Sequence, residues 1–282
     1  MHAFLNWMAT NTPTKWCNDS ANVDDIEHAL ESGAVGCTTN PPLSYQTLTN
    51  SREVFAAECD KVTAGPGDER AAQMIGVVVR HIARMLSGVY ESTGHAHGYV
   101  RAQVQPRLAD DADAMLKMGR QFASWAPNIM VKIPGTAAGV EVIEELAAEG
   151  IATTPTVNST ASQIIAVAEA YERGVARAKA AGVEPAPSTA AIVLGRLQDF
   201  LAALNTERNA GVSTSDLESA GIALVKRAYR NVRERSHEIR TRSTNRSMRM
   251  RSNACETLCR SSPPRMNRKG SIRGSSRVMA RT

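Results

Sequence analysis

An α/β fold built on a parallel sheet is predicted by three features of this sequence. Six short apolar runs, KWCND, GAVGCTT, YVRAQV, NIMVKIP, IATTPTV and STAAIVL, alternate with longer stretches of helical period. Their succession carries no sign of a reversed strand order, which favours a closed barrel of the (β/α)8 TIM type over a doubly wound sheet. The length of 282 residues suits one such barrel. The barrel is expected to be incomplete, with strands seven and eight missing or degenerate.

Each element follows from local pattern. After the KWCND strand, ANVDDIEHALES places Val23, Ile26 and Leu30 at helical spacing, with Asn22 and an acidic pair set for the helix start. GAVGCTT makes the second strand. Helices are expected over about residues 46–62 and 69–90, divided by the AGPGD break. YVRAQV and NIMVKIP, the third and fourth strands, flank the helix LADDADAMLKMGRQFASWA. The helix TAAGVEVIEELAAEG leads to strand IATTPTV, and STASQIIAVAEAYERGVARAKAAG leads to strand STAAIVL. GRLQDFLAALN and a stretch from Ser215 to about Glu234 close the helical series.

Charge divides the chain. Residues 240–282 hold 12 Lys or Arg against the single acidic Glu256, a net +11 that leaves residues 1–239 at −6 within the total of +5. The last stretch is dominated by Arg and Ser without hydrophobic period, so residues 1–236 are expected to form the barrel and 237–282 a disordered basic tail. The abrupt change near His237 is of the kind a shifted reading frame produces. Any nucleic-acid binding through this tail is expected to be nonspecific, because residues 230–282 lack aromatic platforms for base stacking.

No stretch approaches the ~20 apolar residues of a membrane helix, and MHAFLNWMAT lacks the basic and apolar regions of a signal peptide. A cytoplasmic protein without a membrane partner is expected. The five cysteines show no CxxC spacing, which fits reduced thiols better than a disulfide frame or zinc site. His95 and His97 in HAH have no companion at ligand spacing, so no metal or other cofactor is expected.

Lys132 is the anomaly. It sits between isoleucine, methionine and valine in NIMVKIP, where an ammonium either loses its proton or needs a partner. A neutral amine is a nucleophile toward carbonyls, whereas an edge-strand lysine would simply reach water. In barrels the chemistry gathers at the C-terminal ends of strands, and Asp19, Thr38, Thr39, Asn40, Gln103, Lys132, Thr154 and Thr156 all fall there. Asp19 and Asn40 also suit helix caps or turns, and the threonines suit strands. Gln103 in an apolar strand is harder to explain, since a buried amide needs partners.

At these residues the sequence resembles the transaldolase family. The matching segments are DSANVDDI at 19–26, CTTNPPL at 37–43, PRLADDADAM at 106–115, APNIMVKIPGTAAGVEVIEELAAEGI at 126–151 and, more weakly, LGRLQDF at 194–200. The resemblance implies a (β/α)8 barrel that moves a dihydroxyacetone unit between sugar phosphates through a lysine Schiff base, without metal or cofactor, in the pentose phosphate pathway. It implies Lys132 as the nucleophile, Asp19 as the proton carrier for the substrate hydroxyl and Thr156 as holder of the catalytic water. Asn40, Thr39 and Thr154 would bind substrate and Arg196 its phosphate. Gln103 stands where the family has an acid/base glutamate, and glutamine can position water but not carry its proton. Related aldolases acting on fructose 6-phosphate pair such a glutamine with a sixth-strand tyrosine, and the matching residue here is Val193. Thr154 replaces a family asparagine and Ala191 a serine. An aldolase acting on a related ketose phosphate, or a truncated and impaired relative, are the alternatives these departures suggest.

Overall fold

The computed structural model describes residues 2–234. The chain divides into two units, Met1–Val232 and Arg233–Thr282. The expected disordered tail lies outside the described residues, as does the frame change suggested near His237.

Four parallel strands run side by side in chain order: β1 (Gly36–Thr38), β2 (Tyr99–Gln103), β3 (Ile129–Pro134) and β4 (Thr153–Thr156). Shorter ladders extend this sheet on both sides. Asn18 bridges Cys37 in parallel, and the Thr38 amide donates to the Asn18 carbonyl at 2.8 Å. On the other flank Thr153 bridges Ser188 and Asn158 bridges Ile192, with the Ala191 amide donating to the Pro155 carbonyl at 2.7 Å. Six parallel segments therefore follow one another without a switch point, the arrangement of a barrel wall. All six match the apolar runs of the sequence. Among the described residues no seventh or eighth strand follows.

Helices connect the strands as βαβ geometry requires. They are α1 (Ala3–Asn11), α2 (Val23–Glu31), α3 (Pro41–Asn50), α4 (Arg52–Cys59), α5 (Asp68–Ser92), α6 (Ala112–Ala123), α7 (Ala137–Ala148), α8 (Ala161–Ala180) and α9 (Leu194–Glu207), with residues 214–234 again helical. Side-chain oxygens of Asn22, Asn40, Asp111, Thr136 and Thr160 each accept a backbone N–H in the first turn of the helix that follows, and Thr160 with Gln163 completes a reciprocal capping box. Two helices depart from the sequence reading. The helix expected over 46–62 begins earlier, because Pro41 supplies a preset first-turn φ behind the Asn40 cap, and it breaks at Ser51 into α3 and α4. The amino-terminal α1 was not anticipated, since its polar and apolar residues alternate without a clear stripe.

Strand alternation sorts the wall into two faces. Cys37, Val100, Ala102, Val131 and Ile133 point outward into one core with Ile82, Leu86, Met115, Phe122, Ile143 and Leu146 of the helices. The opposite face carries Tyr99 and Met130, which pack with Tyr90 and Ala152 in a separate cluster. Buried Asn128 pins the wall at its base: its amide donates to the Ala83 carbonyl at 2.8 Å and to the Gly98 carbonyl at 2.9 Å. Gly98 has φ +82°, and a Cβ there would fall 2.2 Å from the Tyr90 nitrogen, so only glycine fits this turn into β2.

Helices α7 and α8 pack tightly at Gly174, where a Cβ would lie 2.4 Å from the Glu144 carbonyl oxygen and 2.6 Å from Ala147 Cβ. Gly174→Ala should therefore force the two helices apart and cost about 1–3 kcal/mol. Gly88→Ala, on the exposed side of α5 with nothing within 4 Å, should instead stabilise by roughly 0.5–1 kcal/mol. Urea titration of both variants checks the pair; equal effects would contradict the packing described.

Candidate functional site

The inner face of the wall brings the anomalous lysine into a defined row. Gln103 pairs with Lys132, and Lys132 with Thr154, so these three residues of β2, β3 and β4 occupy one layer of the same face. The next layer toward the strand starts holds Thr38, Arg101 and Met130. The Thr154 hydroxyl donates to Met130 Sδ at 3.5 Å, which ties the two layers together.

Lys132 Nζ donates to Thr38 Oγ1 at 3.2 Å and to the Thr39 carbonyl at 3.4 Å. Neither partner carries a charge. Burial therefore pulls the amine pKa below its ordinary value, the nearby Asp19 carboxylate opposes that shift, and the Arg101 guanidinium adds to it. The solvent-facing reading of this lysine is excluded by its half-buried position and these contacts. A primary amine biased toward its neutral form beside hydroxyl groups can add to a ketone and lose water to give an imine.

The remaining sequence-derived candidates lie at strand ends, with varied local duties. Asp19 is exposed just after the first segment, and its charge reaches the amine. Thr39 is buried, and both its amide and its hydroxyl donate to the Arg101 carbonyl, at 3.1 and 2.7 Å. Asn40 Oδ1 accepts from the Leu43 amide at 2.9 Å, the capping duty its position before Pro41 predicts. Thr154 and Thr156 are both buried in β4, and the Thr156 carbonyl accepts from the Gly135 amide at 2.8 Å. Gln103 is half-buried in the lysine's own row. Arg196 stands exposed in the first turn of α9, beyond exposed Val193 at the helix start.

Sequence reasoning passed over Arg101, Asn158 and Val157. Arg101 lies inside the wall one layer from Lys132; the signal was a charged residue in an apolar strand at the same parity as Gln103. Asn158 is buried next to the end of β4, with its amide donating to the Ala191 carbonyl at 2.9 Å while its Oδ1 has no hydrogen-bond partner among the described residues. Gly135 makes room for that oxygen, since a Cβ there would come within 2.1 Å of it. Between Thr156 and Asn158 the exposed, β-branched Val157 is held at φ +55°, a left-handed conformation its side chain disfavours. The rim of β4 thus combines an unpartnered buried acceptor with local backbone strain, and such strain collects at ligand-binding rims.

The family model described as transaldolase/fructose-6-phosphate aldolase matches residues 16–261. Transaldolase 1 of Streptomyces coelicolor is 35% identical over 210 residues, covering 70% of this chain and 54% of that protein. Transaldolase 1 of Streptomyces avermitilis is 33% identical over 206 residues, covering 69% and 53%. The transaldolase of Neisseria gonorrhoeae is 29% identical over 215 residues, covering 73% and 58%. The chain spans about half the length of the curated relatives it matches.

Val157→Asn should relieve the left-handed strain and raise stability by about 1 kcal/mol, because asparagine tolerates this conformation and the valine is exposed. A thermal melt measures it. An unchanged or lower midpoint would show that the backbone here is not strained.

Proposed function

Because the chain belongs to the transaldolase/fructose-6-phosphate aldolase family, we propose that it moves a dihydroxyacetone unit between sugar phosphates through a Schiff base on Lys132. The observation that carries this reading is the half-buried Lys132 amine, in register with Gln103 and Thr154 and bonded to uncharged oxygens of Thr38 and Thr39. Family membership supports sugar phosphates as substrates and the pentose phosphate pathway as setting. It also supports a cytoplasmic location; separately, among the described residues no helix is long and apolar enough to cross a membrane.

The steps follow from these groups. Neutral Lys132 attacks the ketone carbon of a ketose phosphate, its proton passing to the oxygen to form a carbinolamine; that hydroxyl takes a further proton from solvent, relayed through the bound water, and leaves as water to give an iminium ion. Asp19 takes the proton of the hydroxyl on the carbon beyond the scissile bond. That oxygen becomes the carbonyl of the departing aldehyde, and the bonding pair moves onto the iminium carbon chain to form a neutral enamine. The enamine carbon then attacks an acceptor aldehyde, Asp19 returns its proton to the new alkoxide, and water releases the product ketose from Lys132. Thr156 and Gln103 hold the water that relays the dehydration proton and the water consumed in the final hydrolysis, and Thr154, Asn40 and Thr39 shape the sugar site. Arg196, a planar guanidinium in the first turn of α9, suits the phosphate.

Gln103 favours a second reading. Without a carboxylic acid in the lysine's row, the proton for dehydration and hydrolysis must come from elsewhere, so imine formation can outlast efficient transfer. The protein would then perform slow aldol cleavage or act as an impaired relative.

Borohydride reduction in the presence of dihydroxyacetone or fructose 6-phosphate, followed by peptide mass spectrometry, tests the proposal. The expected result is a reduced adduct on Lys132, absent in Lys132→Ala. An adduct spread over surface lysines, or none, would overturn it. Gln103→Glu should raise turnover if the missing acid limits transfer, measured as aldehyde exchange between phosphorylated sugars; a fall would reject that explanation.

A further inference from the structure

Arg101 is an interior cation that the proposed reaction does not use. It stands on β2 two residues before Gln103, roughly 6–7 Å nearer the strand starts than the layer of Lys132. Its place is fixed from several sides. The Thr39 amide and hydroxyl both hold its carbonyl, its Nη1 donates to Cys17 Sγ at 3.3 Å, and its guanidinium lies over Gly36, where an added Cβ would come 3.3 Å from Nη1. Among the described residues no carboxylate stands within ion-pair distance of it, whereas Arg107, Arg120, Arg173 and Arg177 pair with Asp68, Glu149, Glu144 and Glu145 at the surface. A half-buried guanidinium held by Cys17, with no carboxylate partner among the described residues, leaves its charge to act on the inner face.

We infer that Arg101 is a positioning residue for the reaction, a cation set one layer below Lys132 on the same face that favours the uncharged, nucleophilic form of the amine. The inference rests on the Schiff-base reading of Lys132. Two fixed charges bear on this amine: Asp19, from the end of the first segment, favours the ammonium form, and Arg101, from β2, opposes it. The other groups facing it are uncharged, namely Thr38 on β1, Gln103 on β2 and Thr154 on β4. The same field acts later in the cycle. The iminium carries a positive charge that disappears when carbon–carbon cleavage yields the neutral enamine, so a cation nearby disfavours the iminium and promotes cleavage. Adjacent cations and desolvation are the two general means of activating a lysine nucleophile, and both meet here.

Competitive labelling of the amines with trace acetic anhydride across a pH series, read peptide by peptide, tests this without any sugar substrate. The inference predicts that the Lys132 labelling midpoint moves to higher pH in Arg101→Met and stays near that of the unmodified protein in Arg101→Lys, which keeps the charge. In Asp19→Asn the midpoint should move to lower pH. An unmoved midpoint in Arg101→Met would overturn the inference, and so would equal upward shifts in the Met and Lys variants, which would mark a packing role. If Arg101→Met does not fold, judged by its melt, Arg101→Gln replaces it with the same two outcomes. Failure of the unmodified protein to form a borohydride adduct would instead count against the Schiff-base reading, because labelling does not depend on imine formation.

Discussion

The cost of carrying a charged amine into a wall of strands is the constraint on which the rest of this structure turns. Lys132 is placed by β3, whose alternate residues Val131 and Ile133 are committed to the outer core. The register that buries those two side chains leaves the lysine no choice but the inner face. There it finds hydroxyl and carbonyl oxygens in place of a direct carboxylate partner. Because its folded pKa lies below that of the unfolded chain, the unfolded state binds the extra proton. The lysine therefore detracts from stability in full below its folded pKa, and the deficit fades as pH rises toward the ordinary lysine value. Under the proposed Schiff-base role, stability is given up for reactivity at this position, and the surrounding core offsets the loss.

The threonines and asparagines of the rim show how closely scaffold and site are joined. Thr38 holds the amine, while its neighbour Thr39 turns the other way and fixes the backbone of Arg101. Asn40 caps α3, so the chain leaves β1 directly into a helix whose start lies beside the site. A residue with a structural duty of this kind is not thereby excluded from binding substrate; the cap uses Oδ1 and leaves the side-chain amide nitrogen for other partners. At β4, Thr156, strained Val157 and half-satisfied Asn158 form a second cluster whose local energetics are unfavourable in isolation. Cys37 marks the contrast on the outer face, where burial drives its thiol pKa up to about 12 and leaves it inert.

Much of this was legible in the sequence, for identifiable reasons. The six strands could be read because parallel strands buried on both faces give continuous apolar runs, and the unbroken alternation gave their order. Lys132 stood out because a charge in such a run is rare. Arg101 interrupts an equally apolar run, but YVRAQV also contains Gln103, and the amide drew the reading away from the guanidinium two residues earlier. The division of α3 from α4 at Ser51 was hidden, since nothing in the local composition requires a break there. Asn158 was hidden for another reason: its burial depends on the sixth segment closing over it, a contact that bridges residues far apart in the chain.

The central claim is that the Lys132 amine is uncharged more readily than an ordinary lysine. It is tested most directly by nuclear magnetic resonance of the protein labelled with ¹³C at the lysine ε-carbon, titrated with pH. The account predicts that the Lys132 resonance titrates at lower pH than the ordinary lysine value. A Lys132 resonance that titrates at or above that value would contradict it.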